Sequence, residues 1–508
     1  MSTDAIELQL LVGALRAACE EMGAVLVRSA HSPNITERRD CSTALFDAEG
    51  RMVAQAAHIP VHLGAMPASV AAVRDRLGDA HGDAGRSWIL NDPYAGGSHL
   101  PDITVVTPVH AGDALVGFAA SRAHHADVGG RTPGSMPADS TTLEEEGVVI
   151  APQPLSPELI DELAGRMRAP AQRRADLRAQ QAACEAGAAR LAALADAHGP
   201  AVLATRLADV LAYGERRMAA AIEALPAGEH VARDALEGRE GPIPLAVRVH
   251  VGDLRVVVDL SDAPDQGAHN LNCPRAVTES ACLFAIRAAA SRQDPDLPAD
   301  DGTRRRVEVR TRPGSLLDAR PAPDGTRPAV VAGNVETSSR VADLVLAALG
   351  RALGQGTMNN VTLGDEDRTM YETISGGQGA LPDADGPDAV HVAMSNTRNT
   401  PVEALETTFP VRVVRYEVRR GSGGAGTHRG GDGVVRELRA TADLELQLLT
   451  ERRAVGPPGA AGGSAGAPGR NLVDGEPVPA KAGLRLRAGQ VVRIETPGGG
   501  GHGAPQAR

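Results

Sequence analysis

The sequence predicts a multi-domain protein of the mixed α/β (α+β) class. Its 508 residues exceed what a single domain usually holds. Apolar residues recur at helical spacing near the N-terminus and again over 155–225. Short apolar runs separated by Gly and Pro, which are typical of strands, fill most of the remaining chain. We therefore expect an α/β region over 1–154, a helical segment over 155–228 and a β-rich, glycine-containing region with interspersed helices over 229–508.

The N-terminal region is predicted to begin with a helix and to continue as strands. Leu11, Leu15 and Met22 lie at helical spacing, so they share one face of that helix. The run TALFDAEGRMVAQ predicts a hairpin that turns at 47–50. Two further strands, ITVVTPV and GFAASRAH, lie between loops, and the stretch 131–154 is expected to be mostly loop.

The helical segment and the C-terminal region are marked by caps and turns. Ser156 and Pro157 form an N-cap and first-turn pair, and Pro200 interrupts the helical pattern that follows. The clearest hairpin is PLAVRVHVGDLRVVVDL, with helices predicted near 276–291 and 338–354. After residue 410 the chain alternates strands with glycine-rich runs such as AVGPPGAAGGSAGAPGR and TPGGGGHG.

Composition and charge argue against several classes of protein. A net charge of −12 and an aromatic content of only 2% argue against nucleic-acid binding. No run of about 18 or more uncharged apolar residues is present, and acids stand where a signal peptide needs basic residues. The 5 cysteines form no C-x-x-C pair and their number is odd, which favours reduced thiols. We expect a cytoplasmic protein that does not associate with a membrane.

Lys481 is the only lysine of the chain, and nearly all positive charge is arginine. The loop ISGGQGA lacks both the G-K-[ST] of a P-loop and the G-x-G-x-x-G of a dinucleotide site. The sequence therefore argues against a Walker-type ATP site and against lysine Schiff-base chemistry on this chain.

Polar residues concentrate at strand ends in the first third of the chain. His99 and Asp102 lie at the start of the strand ITVVTPV, and His124 ends the strand GFAASRAH. If the two strands are neighbours, these side chains converge at one end of a sheet. Two imidazoles and a carboxylate are a recurring ligand set for a catalytic divalent metal, and Asp40 would add a second carboxylate suited to Mn²⁺ or Zn²⁺. The alternative is that these histidines only bond to nearby backbone.

Other polar residues allow more than one interpretation. His58 and His62 stand four positions apart, but Pro60 between them favours a loop that lines a pocket or simply packs. Glu144–Glu146 could include a general base, or could form a solvated acidic loop. Cys41 follows two arginines that could lower its pKa, or it is a buried, inert thiol.

Several long motifs resemble the hydantoinase B/5-oxoprolinase family. They are ERRDCSTALFDAEGRMVAQAAHIPVHLGAMPASV, NDPYAGGSHLPDITVVTPV, ADSTTLEEEGVVI, SNTRNTPVEALE, FPVRVVRYEVRRGSGGAGTHRGGDGVVRE and ETPGGGGHG. The resemblance extends from about residue 5 to about residue 505 and is weakest over 155–260.

The resemblance implies a beta-type, N-methylhydantoinase B-like subunit of an ATP-dependent enzyme that hydrolyses a cyclic amide such as N-methylhydantoin or 5-oxoproline. A separate hydantoinase A-like subunit would bind ATP and phosphorylate the lactam or imide carbonyl. This chain would then open the activated ring hydrolytically, in a hetero-oligomer with two copies of each chain.

The family's residues map onto this sequence position by position. The ligand motif falls on Asp40, His99, Asp102 and His124, so the resemblance implies a metal-bearing N-terminal region holding a divalent ion, Zn or Mn. His125 is either a substitute for His124 or, with Glu145, a candidate for proton transfer.

Two other functions are compatible with the sequence. One is a carboxylase subunit related to acetone and acetophenone carboxylases, which would use the same metal pocket to pass on an activated carboxyl group. The other is a non-catalytic assembly subunit that docks and stabilises its partner. The corresponding subunits of these carboxylases and of caprolactamase carry a divalent metal, and of the three functions the hydrolase is the one we expect.

Overall fold

The computed structural model describes residues 5–57, 59, 62–77 and 85–505, and it confirms the mixed helix-and-sheet class. Its helices are α1 (Ala5–Ser29), α2 (Pro33–Thr36), α3 (His62–Leu77), α4 (Pro157–Gly165), α5 (Pro170–His198), α6 (Pro200–Ile222), α7 (Arg275–Ala290), α8 (Asp301–Arg304), α9 (Ser338–Ala348) and α10 (Val402–Thr408). A 3₁₀ turn spans Leu143–Glu145, and a π-helical turn spans Gly333–Thr337.

The strands occur on both sides of the helical segment. Before and just after residue 150 they are β1 (Cys41–Asp47), β2 (Met52–Ala57), β3 (Trp88–Leu90), β4 (Asp102–Ala111), β5 (Ala114–His124) and β6 (Gln153–Pro154). In the middle they are β7 (Gly228–Gly238), β8 (Gly241–Gly252), β9 (Arg255–Asp259) and β10 (Val307–Arg310). Towards the C-terminus they are β11 (Asn360–Gly364), β12 (Thr369–Glu372), β13 (Val411–Arg419), β14 (Gly433–Ala440), β15 (Leu444–Leu449), β16 (Arg470–Val473), β17 (Glu476–Val478), β18 (Lys481–Leu486) and β19 (Val491–Glu495).

Helix ends follow the local signals in most cases. The Ser156 hydroxyl caps α4 by accepting the Leu159 N–H at 3.2 Å, as the Ser–Pro pair predicts. Gly199, with φ of +82°, separates α5 from α6. The helix expected near 338–354 ends earlier, at Ala348, because Gly350 adopts a φ of +76° that ends the helix.

The N-terminal sheet carries the polar residues singled out above. Its strand order is β2-β1-β5-β4-β3-β6, and each neighbouring pair is antiparallel. On β1, Leu45 packs with α1 in one apolar core, while Phe46 packs with α3 in another. Because side chains alternate along a strand, helices cover both faces of this sheet. Helix α5, from the predicted helical segment, also packs on β4 and β5.

The remaining sheets build the middle and C-terminal parts. Sheet β10-β9-β8-β7 shares an apolar core with α7 and α9. The sheets β12-β11-β15-β18 and β13-β14-β19-β16-β17 pack around another core. Lys481 lies on β18 with its side chain 5% exposed, and its ammonium donates to Glu451 Oε1 at 2.5 Å.

Four glycine-rich segments join beside these sheets in what we call the glycine bundle: 376–380, 422–431, 456–467 and 497–503. Gly424 N–H donates to Gly499 O at 2.8 Å, and Gly499 N–H donates to Gly431 O at 2.9 Å. A Cβ on Gly499 would lie 2.0 Å from Gln378 O. Glycine is needed here because backbones touch, which is a packing requirement.

None of the described helices is both long enough and apolar enough to cross a membrane.

Candidate metal site

Strand register brings the predicted ligands together. Strands β4 and β5 pair so that Asp102 stands directly opposite His124. On the other side of β5, the His124 N–H donates to Asp40 O at 3.0 Å, just before β1 begins. His99 lies in the bend that leads into β4. The two strands are therefore neighbours, as the convergence of these side chains requires, and all of these residues line one cavity.

Asp102 is at the centre of the cluster. His99 Nδ1 lies 3.1 Å from Asp102 Oδ2, and His124 Nδ1 lies 3.3 Å from Asp102 Oδ1. The Ser98 hydroxyl donates to Asp102 Oδ2 at 2.8 Å. These three residues, His99, Asp102 and His124, offer ligand atoms within 4.8 Å of one another, and all are buried.

The pKa values of Asp102 and His124 are both shifted, each for an identifiable physical reason. Burial alone would raise the pKa of Asp102, but the imidazoles of His99, His62 and His124 outweigh it and hold that pKa well below its usual range. Burial lowers the pKa of His124, although the Asp102 carboxylate partly opposes this. The site therefore offers an ionised carboxylate beside a neutral imidazole, which are the forms that bind a divalent ion.

Unpaired nitrogens give an independent test of whether a metal fits. In the part of the chain that the structure describes, His99 Nδ1, His99 Nε2 and His124 Nε2 have no hydrogen-bond partner, although Nδ1 of His99 comes close to Asp102 without hydrogen-bond geometry. Buried polar atoms normally find partners. The cavity beside them measures about 20 Å³, enough for one ion or water molecule. The donor set and the orphaned nitrogens fit a divalent metal.

Asp40 and its neighbours form the adjoining wall. Asp40 is 5% exposed, and its Oδ2 lies 3.7 Å from the Arg38 guanidinium. Arg38 stacks over the Tyr371 ring, 4.5 Å from its centroid, and Tyr371 in turn stacks on His124 at 4.4 Å. This wall is built from residues more than 200 positions apart, and no local sequence pattern marks Tyr371 as a partner of the site.

His62 is closer to the site than the sequence indicates. It begins α3, is 1% exposed, and its Nε2 lies 3.4 Å from Asp102 Oδ2. Its Nδ1 contacts the Ser42 hydroxyl at 2.8 Å. His62 therefore lies against the Asp102 carboxylate, as pocket lining, while His58 lies outside the described residues.

His125 faces away from the cavity. Successive side chains of a strand point to opposite faces, so His124 and His125 diverge. The His125 Nε2 contacts Gln180 Oε1 on α5 at 2.9 Å, and burial lowers its pKa to about 4. A ligand or proton-transfer role for His125 remains a prediction, and the geometry of the cavity gives it no support.

Glu145 also lies outside the set of residues that line the cavity. It ends the 3₁₀ turn, and its carboxylate accepts the Thr141 N–H at 3.1 Å near the surface. Its proton-transfer role likewise remains a prediction. Its neighbour Glu146 is the buried member of the acidic run, and burial raises the pKa of Glu146 to about 8. Cys41 is buried, and burial raises the pKa of its thiol to about 12, which matches the inert-thiol interpretation.

Comparisons with known proteins cover almost the whole chain. A family model described as hydantoinase B/oxoprolinase matches residues 4–505. An uncharacterized protein of Methanocaldococcus jannaschii is 35% identical over 525 residues, covering 99% of this chain and 92% of that protein. The 5-oxoprolinase of Dictyostelium discoideum is 36% identical over 519 residues, covering 98% of this chain but only 40% of that protein. The chain thus spans about two fifths of the length of that 5-oxoprolinase.

A solved structure has the same overall fold. The ATP-dependent caprolactamase from Pseudomonas jessenii superposes with a TM-score of 0.90 at 28% identity. The match covers 99% of this chain and 92% of that chain.

Proposed function

This chain belongs to the hydantoinase B/oxoprolinase family, and on that premise we propose that it is the ring-opening subunit of an ATP-dependent cyclic amide hydrolase. The observation that carries the proposal is the buried cluster of His99, Asp102 and His124, with orphaned imidazole nitrogens facing a cavity of about 20 Å³. The similarity to a 5-oxoprolinase and to a caprolactamase supports a cyclic amide as substrate.

We propose that ATP is handled by a separate, hydantoinase A-like chain. The Dictyostelium 5-oxoprolinase is much longer than its match here, while the Methanocaldococcus relative matches over 92% of its length. This contrast supports an arrangement in which one activity is divided between two chains. The predicted assembly contains two copies of each chain.

The division of chemistry follows from the weak electrophilicity of an amide. Transfer of a phosphoryl group from ATP to the ring carbonyl oxygen, on the partner, would create an O-phosphorylated imidate whose ring nitrogen keeps its hydrogen in the protonated form. Water then adds to that carbon, a proton moves to the ring nitrogen, and the ring C–N bond breaks to leave an amine and an acyl phosphate. A second water hydrolyses the acyl phosphate to a carboxylate and inorganic phosphate. A divalent Zn or Mn ion held by Asp40, His99, Asp102 and His124 would supply Lewis acidity and an acidified water for this addition.

The surrounding residues prepare the ligands for that task. Ser98 and His62 contact the same oxygen of Asp102, so they fix the orientation of the carboxylate. Tyr371 stacks on the His124 ring and limits its rotation. These contacts would keep the donor set in place before an ion binds.

The test is to co-purify this chain with a hydantoinase A-like partner. Elemental analysis should find about one Zn or Mn per copy of this chain. ATP-dependent ring opening should then be assayed with hydantoin, 5-oxoproline and ε-caprolactam, each with and without the partner. We expect opening of at least one ring, coupled to ADP release and dependent on both chains.

Other outcomes would redirect the assignment. ADP release with a ketone and bicarbonate, and with none of the rings, would make this chain a carboxylase subunit. A partner that opens rings equally well alone, beside a metal-free copy of this chain, would make it an assembly subunit.

A further inference from the structure

The metal cavity has a second unusual wall, the π-helical turn Gly333–Thr337 that leads into α9. The turn is firmly held, because the Glu146 carboxylate accepts the Val331 N–H at 3.0 Å just before it. A Cβ on Gly333 would lie 1.8 Å from Asn272 O, so the turn is pressed directly against that backbone. Single π-helical turns occur frequently at functional sites, where they redirect a side chain.

The turn lines the cavity with Val335 and with one polar side chain, that of Asn334. It is 3% exposed and lines the same cavity as His99 and His124. Its Oδ1 atom has no hydrogen-bond partner among the described residues. A buried acceptor without a donor is costly, and such sites are commonly completed by a ligand. The hydrogen-bond donor that Asn334 Oδ1 lacks must therefore come from a molecule in the cavity.

The segment 394–397 forms another wall of the cavity, and its Asn396 is exposed to solvent. The volume of about 20 Å³ is too small for a whole lactam ring. Only one edge of a ring can therefore approach the ligand cluster, and the body of the ring must lie outside the cavity.

A cyclic amide has the edge that these groups require. A small ring forces its amide bond to be cis, so the C=O and the N–H point to the same side. An unstrained linear amide is trans and points them to opposite sides. One edge of a lactam can therefore place its carbonyl carbon beside His99, Asp102 and His124 and, at the same time, direct its N–H towards Asn334 Oδ1.

We propose that Asn334 recognises the ring N–H of a cyclic secondary amide and so selects ring amides that carry a hydrogen on nitrogen. The inference rests on the proposed function for the identity of the reaction, and it adds the class of ring that the site accepts. Asn334 acts as a specificity-determining residue, and it is not one of the predicted metal ligands.

The test separates recognition from turnover by measuring binding directly. The full chain, loaded with Zn²⁺ or Mn²⁺ and in complex with its partner, is titrated with ε-caprolactam and with cycloheptanone, which has the same ring size and a CH₂ in place of the N–H. Ligand-observed NMR on the Zn²⁺ form gives both affinities, and linear N-methylacetamide serves as the trans-amide probe. We expect the lactam to bind about tenfold more tightly than either other probe, as one satisfied hydrogen bond allows.

Two variants of nearly equal size assign that preference to one atom. Asn334→Leu removes the acceptor and should reduce the lactam-to-ketone ratio to about one. Asn334→Asp keeps an acceptor oxygen at the same position and should retain the preference for the lactam. Metal content by elemental analysis should be unchanged in both variants, and circular dichroism establishes that each is folded.

Each contrary result has its own meaning. Equal binding of lactam and ketone by the unaltered protein overturns the inference without any variant, as does an unchanged ratio in Asn334→Leu. Loss of metal in Asn334→Leu would identify the carboxamide as a ligand instead, which also overturns it. If the protein binds rings with a preference for N–H but does not open them with ATP, Asn334 still recognises the ring and the proposed hydrolase function is refuted. If it opens rings without a preference for N–H, the hydrolase function stands and the role of Asn334 is refuted.

Discussion

His99 has two buried ring nitrogens without hydrogen-bond partners in the described structure, and this makes it the most informative single residue of the site. Asp102 contacts its Nδ1 side at 3.1 Å, while its Nε2 has no such neighbour. An imidazole in this position contributes little to the stability of the fold and much to metal binding. Its replacement should therefore separate the two properties.

The first prediction concerns His99→Ala. Metal content should fall close to zero and ring opening should drop by more than about 100-fold, since even residues behind the ligands change metal affinity about 10- to 100-fold. The thermal midpoint should move by only a few degrees. Elemental analysis, the ring-opening assay and a melting curve check these points. His250→Ala, an exposed imidazole on β8, is the matched control and should change none of them; wild-type metal content in His99→Ala would show that the ligand set is wrong.

The second prediction concerns Glu336, a buried carboxyl within the π-helical turn. Burial raises the pKa of Glu336 to about 8, with the charge of Glu451 adding to the effect. The folded state then binds more protons than the unfolded state between the ordinary pKa of a glutamate and about 8. Stability from this group is complete at low pH and is lost as the pH rises through that window.

Glu336→Gln should remove this loss because a carboxamide does not titrate, and its oxygen can still accept the Thr357 hydroxyl that Glu336 Oε1 accepts at 3.0 Å. Urea unfolding at pH 6, 7 and 8 should show a smaller fall in unfolding free energy for the variant than for the wild type. Part of the slope should persist, since Glu146 shifts in the same direction. An equally steep fall in both proteins would contradict the assignment.

At the scale of elements, the sequence predicts local structure well and close packing poorly. The helix α1, the β1–β2 hairpin and the cap at Ser156 follow from patterns within a few residues of each other. The glycine-rich runs are visible in the sequence, but their role in packing backbone segments together is not. Gly499 contacts backbone from segments more than 60 residues away, and no local pattern encodes such a contact.

The third prediction tests this packing role by substituting two glycines, one inside the glycine bundle and one outside it. Gly499→Ala should lower the free energy of unfolding by about 3 kcal/mol or more, because the new Cβ would meet the Gln378 carbonyl and no flexible side chain can yield. Gly13→Ala is the matched control: this α1 glycine has nothing within 4 Å of its Cβ position. Alanine there should raise stability by about 0.5–1 kcal/mol. Urea denaturation measures the free energy of unfolding of both variants. Similar changes in the two would contradict the claim that the glycine bundle requires glycine for close packing.

At the scale of the whole molecule, the candidate site is shared between distant parts of the chain. The N-terminal sheet supplies Asp40, Asp102 and His124, and the later regions supply Asn334 and Tyr371. The sequence predicts the first group because neighbouring antiparallel strands bring their ends together. It does not reveal the second group, because those contacts arise only when separate cores pack against each other.

Arg38 is a principal link between these parts and gives the fourth prediction. It is fully buried, donates to the hydroxyls of Thr373 and Thr397 at 3.2 and 3.3 Å, and stacks on Tyr371. Arg38→Leu should cost about 3–5 kcal/mol of unfolding free energy, since it removes these contacts and leaves Asp40 without its cation.

Metal retention should weaken in the same variant, because the wall that supports His124 through Tyr371 is disturbed. Urea denaturation and elemental analysis after dialysis measure the two effects. Arg485→Leu, whose side chain is 76% exposed, should change neither. A fall in stability with full metal retention would mean that Arg38 serves the fold alone.

The buried position of Lys481 has a practical consequence for studying a complex. Its ammonium is enclosed beside Glu451, and the chain has no other lysine. Amine-reactive dyes and cross-linkers will therefore find almost nothing to modify on this chain beyond its α-amino group, and they will label a lysine-bearing partner selectively. Mapping the interface by cross-linking needs reagents that react with carboxylates or arginines. Labelling only the partner through its amines, in contrast, needs no substitution in either chain.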